Sequence, residues 1–375
     1  MRKLILLLAL FSAQALAAVP SPPPVPDVAA RGYILIDFNS GQTLVQHKAN
    51  ERMEPASLTK LMTAYLTFAS LRQNHLSLQQ TLPVSERAWR AEGSRMFIQP
   101  NVPVVVEDLI RGMIVQSGND ACIALAEGIA GSEEAFVARM NEQAHKLGMK
   151  STHFMNATGL PDPQHYTTAG DLALLARAII RDFPEFYPYY SIKEYKYNNI
   201  NQPNRNRLLW LDPTVDGVKT GHTESAGFCL IASGKRDARR LLSVVLGTSS
   251  ESARASESQK LLNYGFQFYD THRLYEKGQV VATLPVWKGS DNTLKAGVDR
   301  ELSISLPKGQ YPFLKAVMTS KQPLLAPLSA GQVVGSIKLT VGDKPYAEYP
   351  LVALEEVPVA NVFKRGWDSI KLMLK

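Results

Sequence analysis

The chain has 375 residues, 45% of them hydrophobic and 20% charged, with a formal net charge of +7. This is globular composition and long enough for two domains. The positive charge forms no long Lys/Arg run, so no nucleic-acid partner is expected, and the seven histidines are scattered with none beside Cys or Glu at ligand spacing, so neither metal nor cofactor is expected.

Met1-Arg2-Lys3, the apolar run Leu4–Phe11 and the small-x-small sequence Ala15-Leu16-Ala17 read as a secretory signal over residues 1–17, cleaved after Ala17. The run is too short to span a bilayer. Cleavage leaves +5, because Arg2 and Lys3 are lost and no acid lies in residues 1–17 (7 − 2). Pro20 to Pro26 fall in an extended leader, residues 18–30, with no core of its own. Tyr33–Asp37 reads as a strand, Asn39-Ser40-Gly41 as a turn, and Thr43–Val45 as the hairpin partner.

Pro55-Ala56-Ser57-Leu58-Thr59-Lys60 follows. Pro55 and Ser57 suit a helix start. Leu58, Leu61, Met62, Tyr65, Leu66 and Ala69 recur at helical period, and Ala64 and Phe68 make the far side apolar too. The spacing predicts a helix buried nearly all round. Ser57 and Lys60 stack on one face, one turn apart. A buried ammonium has a lowered pKa, so Lys60 can be the neutral amine that takes the Ser57 proton. Ser305-Leu306-Pro307-Lys308 repeats the pattern, but its flank alternates with period two. It reads as a strand entering a turn, with Ser305 on the surface.

Residues 107–116 predict a helix with acids in its first turn, interrupted by Ser117-Gly118-Asn119-Asp120. Residues 121–130, 133–147 and 168–180 predict three more helices. From about residue 190 the pattern turns to strands: Glu194–Tyr197, Gly217–Thr220, Phe228–Ala232 and Leu241–Leu246. Arg254–Asn263 reads as a last helix. Beyond about residue 270 only short alternating strands and turns remain, a small all-β domain. Cys122 and Cys229 both lie in apolar surroundings; a disulfide is open to them in an oxidising compartment, and buried thiols are the favoured reading. Phe363, Trp367, Ile370 and Leu374 recur at offsets 0, 4, 7 and 11, with Lys364, Asp368, Lys371 and Lys375 displaced around the helix. Such a helix suits the headgroup plane of anionic lipid and is too short and charged to span; docking on the β domain is the alternative.

Ser117-Gly118-Asn119 is by itself a loop or helix cap, and Lys219-Thr220-Gly221 by itself a lysine before a turn. Ser-x-x-Lys, Ser-x-Asn and Lys-Thr-Gly in this order are the signature of penicillin-binding proteins and class A β-lactamases. With Leu109-Ile110-Arg111-Gly112, Gln116 to Cys122, Val215 to Thr223, Glu257-Ser258 and Ile370 to Met373, the chain from about Tyr33 onward resembles the low-molecular-mass penicillin-binding proteins that are D-alanyl-D-alanine carboxypeptidases, of the penicillin-binding protein 5 and 6 kind.

The resemblance implies an α/β fold: a serine β-lactamase/transpeptidase-like domain (antiparallel sheet flanked by helices, residues 31–269), a small all-β domain (270–356) and a C-terminal amphipathic anchor helix (357–375). It implies removal of the terminal D-alanine from peptidoglycan pentapeptides through an acyl-enzyme, and covalent inhibition by β-lactams. Ser57 is the expected nucleophile, Lys60 its base and Ser117 the proton donor to the leaving residue. The Ser57 and His222 backbone N–H groups are the expected oxyanion donors. Asn119 is expected to bond the peptide amide and Lys60. Gly221 lets substrate lie against its strand. Lys219 and Thr220 meet the terminal carboxylate, as does Arg254, whose alternative is a solvated helix charge. The implied location is periplasmic, on the outer face of the inner membrane, tethered to its anionic lipid by the last helix. Arg72–Ala91 departs from the family pattern and is expected to border the site. The rivals are a class A β-lactamase, whose water-activating glutamate has no counterpart because Glu194–Asn198 reads as a strand, and a catalytically silent peptidoglycan-binding protein, against which the intact motifs argue.

Overall fold

The structure, a computed structural model, describes residues 19–374. The signal segment expected over residues 1–17 lies outside them, as does Lys375. The described chain forms two compact units. One is Pro23–Arg273 with Ser303–Ser305; the other is Leu274–Leu302 and the residues from Leu306 onward, with those up to Pro22.

The first unit is built on an antiparallel sheet of β1 (Gly32–Asp37), β2 (Thr43–His47), β3 (Val215–Thr223), β4 (Gly227–Arg236) and β5 (Arg239–Thr248), in the order β2-β1-β5-β4-β3. The expected β1–β2 hairpin pairs Leu35 with Val45. Successive β5 side chains face opposite ways, and both faces are covered. Leu242, Val244 and Leu246 enter a core with Leu61, Met62 and Phe68, while Leu241 and Val245 meet Leu261, Leu262 and Phe266. Those partners belong to α1 (Lys60–Arg72) and to α6 (Glu251–Phe268). Between them in sequence come α2 (Val106–Arg111), α3 (Asn119–Ala130), α4 (Glu133–Lys146) and α5 (Ala169–Asp182).

Helix α1 is buried nearly all round, as its two apolar faces require. Leu61, Met62 and Phe68 are fully buried, each such side chain contributing about 1.5–3 kcal/mol. Both α5 and α6 start at a side-chain cap: Thr168 Oγ1 accepts from the Asp171 N–H and Ser250 Oγ from the Ala253 N–H. Helix α6 exceeds the predicted Arg254–Asn263 at both ends, and the Ser250 cap is the start signal the sequence reading passed over. The Pro-rich leader has no core of its own but is tied down locally. Tyr264 donates to the Pro23 carbonyl, the Ala29 N–H donates to Glu257, and Val28 is buried.

One placement is corrected. Ser305 lies on a strand, Leu302–Pro307, as expected, but it is buried, not on the surface. Its N–H donates to Gln42 Oε1 at 2.6 Å and its hydroxyl meets Ser40 Oγ at 2.7 Å. The polar side of the strand meets polar groups of the β1–β2 turn instead of water.

The second unit holds a six-stranded sheet: β6 (Val280–Trp287), β7 (Thr293–Gly297), β8 (Leu314–Ser320), β9 (Leu324–Leu325), β10 (Val333–Val341) and β11 (Lys344–Ala353), in the order β8-β10-β11-β7-β6-β9. Leu284, Leu294, Ile337, Leu339 and Leu351 fill its buried side. The closing helix, α7 (Val362–Met373), is held by polar contacts. Asp368 accepts from the Lys288 N–H at 2.7 Å and Lys364 Nζ donates to the Ser290 carbonyl at 2.9 Å. Its apolar stripe points outward: Phe363 is 91% and Met373 86% exposed, with Val362, Trp367, Ile370 and Leu374 also exposed. Among the described residues no helix is long and apolar enough to cross a membrane.

Candidate active site

The cleft begins where α1 begins. Ala56–Thr59 form a short 3-10 turn, and Ala56 is held at φ +47°, a conformation costly for a residue with a Cβ. Lys60 is the first residue of α1, and its Nζ lies 2.9 Å from Ser57 Oγ and 2.6 Å from the Thr158 carbonyl. The side chain is 1% exposed. Burial lowers the Lys60 ammonium to about 8; Cys122 and Asp120 oppose the fall and Arg205 adds to it. At neutral pH the amine is still mostly protonated, but its neutral fraction, roughly a tenth at pH 7, is far above that of an ordinary lysine and lies within hydrogen-bond reach of the serine.

The Thr158 carbonyl comes from a loop the sequence reading did not single out. Asn156 Oδ1 accepts from the Thr158, Gly159 and Leu160 N–H groups, folding the loop onto one side chain. Gly159 sits at φ +86°, and a Cβ there would fall directly on the Ala56 carbonyl oxygen. The signal available was the Asn156-Ala157-Thr158-Gly159 sequence, an Asx turn closed by a glycine. Behind α1, His165 Nε2 lies 2.9 Å from Thr59 Oγ1. Burial holds this imidazole down to about 4 and hence neutral.

Helix α2 runs into a wider turn, Gly112–Gln116, that ends with Ser117 at φ +68°. Ser117 Oγ accepts from Lys219 Nζ at 3.0 Å, and the same Nζ reaches the Thr220 carbonyl at 3.1 Å. Burial pushes the Lys219 ammonium well below its ordinary value, and Lys60 and Arg205 push the same way. Asn119 opens α3. Its Nδ2 donates to the Glu92 carbonyl at 2.6 Å, while its Oδ1 is buried without a partner. It does not bond Lys60 as expected: its amide is directed to the Glu92 carbonyl, while Lys60 meets Ser57 and the Thr158 carbonyl. The next residue, Asp120, accepts from the Met96, Phe97 and Ile98 N–H groups and fixes the loop that rims the cleft.

Strand β3 is the sheet edge, and Lys219, Thr220, Gly221 and His222 lie on it. A Cβ at Gly221 would stand 3.1 Å from the Pro55 carbonyl, so the glycine permits close approach to the nucleophile turn. The His222 ring stacks on Phe228 at 4.0 Å. Arg254 is 3% exposed and is not the solvated charge considered as its alternative. Its guanidinium lies over Phe228 and near the Gly221 and Arg205 carbonyls, 3.3 Å from Glu251.

These groups share one cleft of about 420 Å³. Ser57, Ser117, Asn119, Thr220, Gly221, His222 and Arg254 line it, and Lys60 and Lys219 back the two serines. Its rim is Gly93–Phe97, not the Arg72–Ala91 stretch expected to border it, because Asp120 and Asn119 draw the later loop in. Arg95 and Arg205 also line it and were missed, since an isolated arginine has no motif. Glu194 lies on a two-stranded hairpin and does not line the cleft. Cys122 and Cys229 are free and buried, as favoured. Among the described residues no cluster of His, Cys, Asp and Glu could hold a metal.

Residues 17–250 match the D-alanyl-D-alanine carboxypeptidase family model, and residues 269–359 match that of the penicillin-binding protein 5 C-terminal domain. The chain is 42% identical to the D-alanyl-D-alanine carboxypeptidase DacA of Escherichia coli over 94% of its own length and 89% of that protein's. The crystal structure of penicillin-binding protein 5 from Haemophilus influenzae superposes with a TM-score of 0.86 at 40% identity, covering 89% of this chain and 98% of that one. The ampicillin-bound form of penicillin-binding protein D2 from Listeria monocytogenes superposes with a TM-score of 0.60 at 31% identity, over 65% of this chain and 99% of that one.

Proposed function

The chain belongs to the D-alanyl-D-alanine carboxypeptidase family, and from that premise we propose which of its groups perform each step. The protein is a serine-type D-alanyl-D-alanine carboxypeptidase of the bacterial cell wall, acting on peptidoglycan peptides and inhibited by β-lactams. The observation that supports the assignment best is the 2.9 Å contact between Ser57 Oγ and a buried Lys60 Nζ.

Ser57 Oγ attacks the carbonyl carbon of the D-Ala–D-Ala bond while neutral Lys60 takes its proton. The oxyanion is met by the backbone N–H groups of Ser57 and His222. Ser117, backed by Lys219, delivers a proton to the leaving nitrogen, the C–N bond breaks to release D-alanine, and the proton that Lys60 took from Ser57 restores the Ser117 hydroxyl. Water then attacks the ester carbonyl and gives its proton to the again neutral Lys60, which returns it to Ser57 Oγ as the ester C–O bond breaks. Asn119 Oδ1, buried and unpartnered, accepts from the substrate amide on the acyl side. Thr220, Lys219 and Arg254 meet the terminal carboxylate; its arrival favours the charged form of Lys219, offsetting burial. The peptide backbone lies along the open edge of β3.

The enzyme is periplasmic and peripheral, with α7 in the headgroup plane of anionic lipid on the outer face of the inner membrane. The outward apolar stripe of α7 and the basic Lys364, Arg365 and Lys371 beside it support this reading. The test of the chemistry is labelling with a fluorescent penicillin beside mass spectrometry of D-alanine released from a diacyl D-Ala–D-Ala tripeptide. The unsubstituted protein does both and Ser57→Ala does neither. Stoichiometric labelling of Ser57→Ala would show that the nucleophile is another group.

A further inference from the structure

Three arginines line the cleft, Arg95, Arg205 and Arg254, against one carboxylate, Glu251. The leaving D-alanine brings a single carboxylate, and Arg254 with Lys219 and Thr220 is assigned to it above. Arg205 stands with that group. Its carbonyl accepts from Arg254, and its charge presses on Lys60, Lys219 and Arg254.

Arg95 belongs to the other flank. Its loop is bound to the Ser117-Gly118-Asn119 motif on both sides of it. The Asn119 N–H donates to the Ser94 carbonyl at 2.7 Å, Asn119 Nδ2 donates to the Glu92 carbonyl, and Asp120 accepts from the Met96 N–H at 2.9 Å. Gly93, at φ +78°, lets the loop close, since a Cβ there would stand 2.9 Å from Asn119 Nδ2. Arg95 is therefore held beside the residue that meets the acyl-side amide. It is half-buried, its guanidinium lies 5.4 Å from the centre of the Phe97 ring, and no carboxylate pairs with it among the described residues. A partly desolvated guanidinium with an aromatic face behind it and no counter-ion is a receptor for a planar anion.

We propose that Arg95 binds a carboxylate on the acyl portion of the peptide, so that this enzyme prefers stem peptides with a free acid on the residue preceding the D-Ala–D-Ala pair. The proposal rests on the carboxypeptidase reading above and adds a second anionic contact to it.

Two diacylated peptides ending in D-Ala–D-Ala separate the possibilities, one with a side-chain carboxylate on the preceding residue and one with the carboxamide. The unsubstituted chain should favour the acid in kcat/KM by roughly five- to tenfold, the scale of a half-buried arginine–carboxylate pair. The preference should reside mainly in KM and shrink at high salt. Arg95→Gln should bring the ratio to within about twofold, and Arg95→Lys should keep part of it. Comparing two peptides within one enzyme cancels any general loss of activity in a variant. An unsubstituted chain with no preference, or a full preference in Arg95→Gln, overturns the proposal. Absence of both D-alanine release and penicillin labelling in the unsubstituted chain would overturn the carboxypeptidase reading, and this proposal with it.

Discussion

Gly159 packs directly on the carbonyl oxygen of Ala56, the residue before the nucleophile, at a φ that disfavours any side chain. Gly159→Ala must therefore move the turn that carries Ser57, or the Thr158 carbonyl that holds Lys60. The expected outcome is a loss of about 1 kcal/mol or more in stability and a fall in acylation of more than about tenfold from misplacement of the reacting groups. Penicillin acylation rates and thermal unfolding measure the two effects. Wild-type acylation by Gly159→Ala would show that this contact does not fix the nucleophile.

Lys60 sets the pH dependence. Its folded value of about 8 is below the ordinary 10.5. Acylation limited by the neutral amine should rise about tenfold per pH unit below 8 and level off above it. Stability follows the same shift with a defined sign. Below about pH 8 both folded and unfolded states hold the proton, and the full cost of burying the ammonium is present. Between about 8 and 10.5 the unfolded chain holds more protons, so stability rises with pH. A stopped-flow pH profile with a fluorescent penicillin checks the first claim, and Lys60→Ala should be inactive in acylation while remaining folded. A flat profile from pH 6 to 9 would remove lysine as the base.

Arg254 lies in a buried, stacked position beside Thr220 and Gly221. Arg254→Ala should raise KM for the D-Ala–D-Ala peptide by about tenfold or more, with a smaller effect on penicillin acylation. Steady-state kinetics on both substrates give the split. Unchanged peptide kinetics would mean that the terminal carboxylate is met elsewhere.

The exposed stripe of α7 gives a membrane prediction. The mature chain should co-sediment with anionic vesicles and be partly released by high salt, whereas truncation after Glu356 should leave active protein in the supernatant. Phe363→Ser with Trp367→Ser should weaken sedimentation while leaving Lys364, Arg365 and Lys371 intact, which separates apolar insertion from charge attraction. Intact protein that stays in the supernatant at low salt would remove the anchor.

What was legible in the sequence was local. Ser57 and Lys60 are one helical turn apart, so their contact follows from spacing alone, and the strand and helix of each later motif follow from period. Groups brought in from afar were not legible. Thr158 reaches Lys60 across 98 residues, and Arg95 reaches the cleft only because Asn119 and Asp120 hold its loop. Asn119 shows the same limit in reverse. Its motif places it in the cleft, where it lies, but its partner, the Glu92 carbonyl, is a backbone group that no sequence pattern marks. Ser305 was misplaced because alternation tells that a strand has two faces, not that both are covered.

Strand β3 ends the sheet, and its outer edge offers backbone donors and acceptors to whatever comes alongside. Such an edge ordinarily invites another copy of the same chain and so invites aggregation. Here the faces of the strand are occupied while its edge has no partner strand among the described residues. Pro55 and Leu58 pack on it at Gly221, Tyr187 and Tyr190 pack on it at Gly217, and most of its residues are buried. An extended peptide that pairs with this edge therefore meets a strand already held in place from both ends of the motif, and the ordering cost of the pairing falls on the peptide alone.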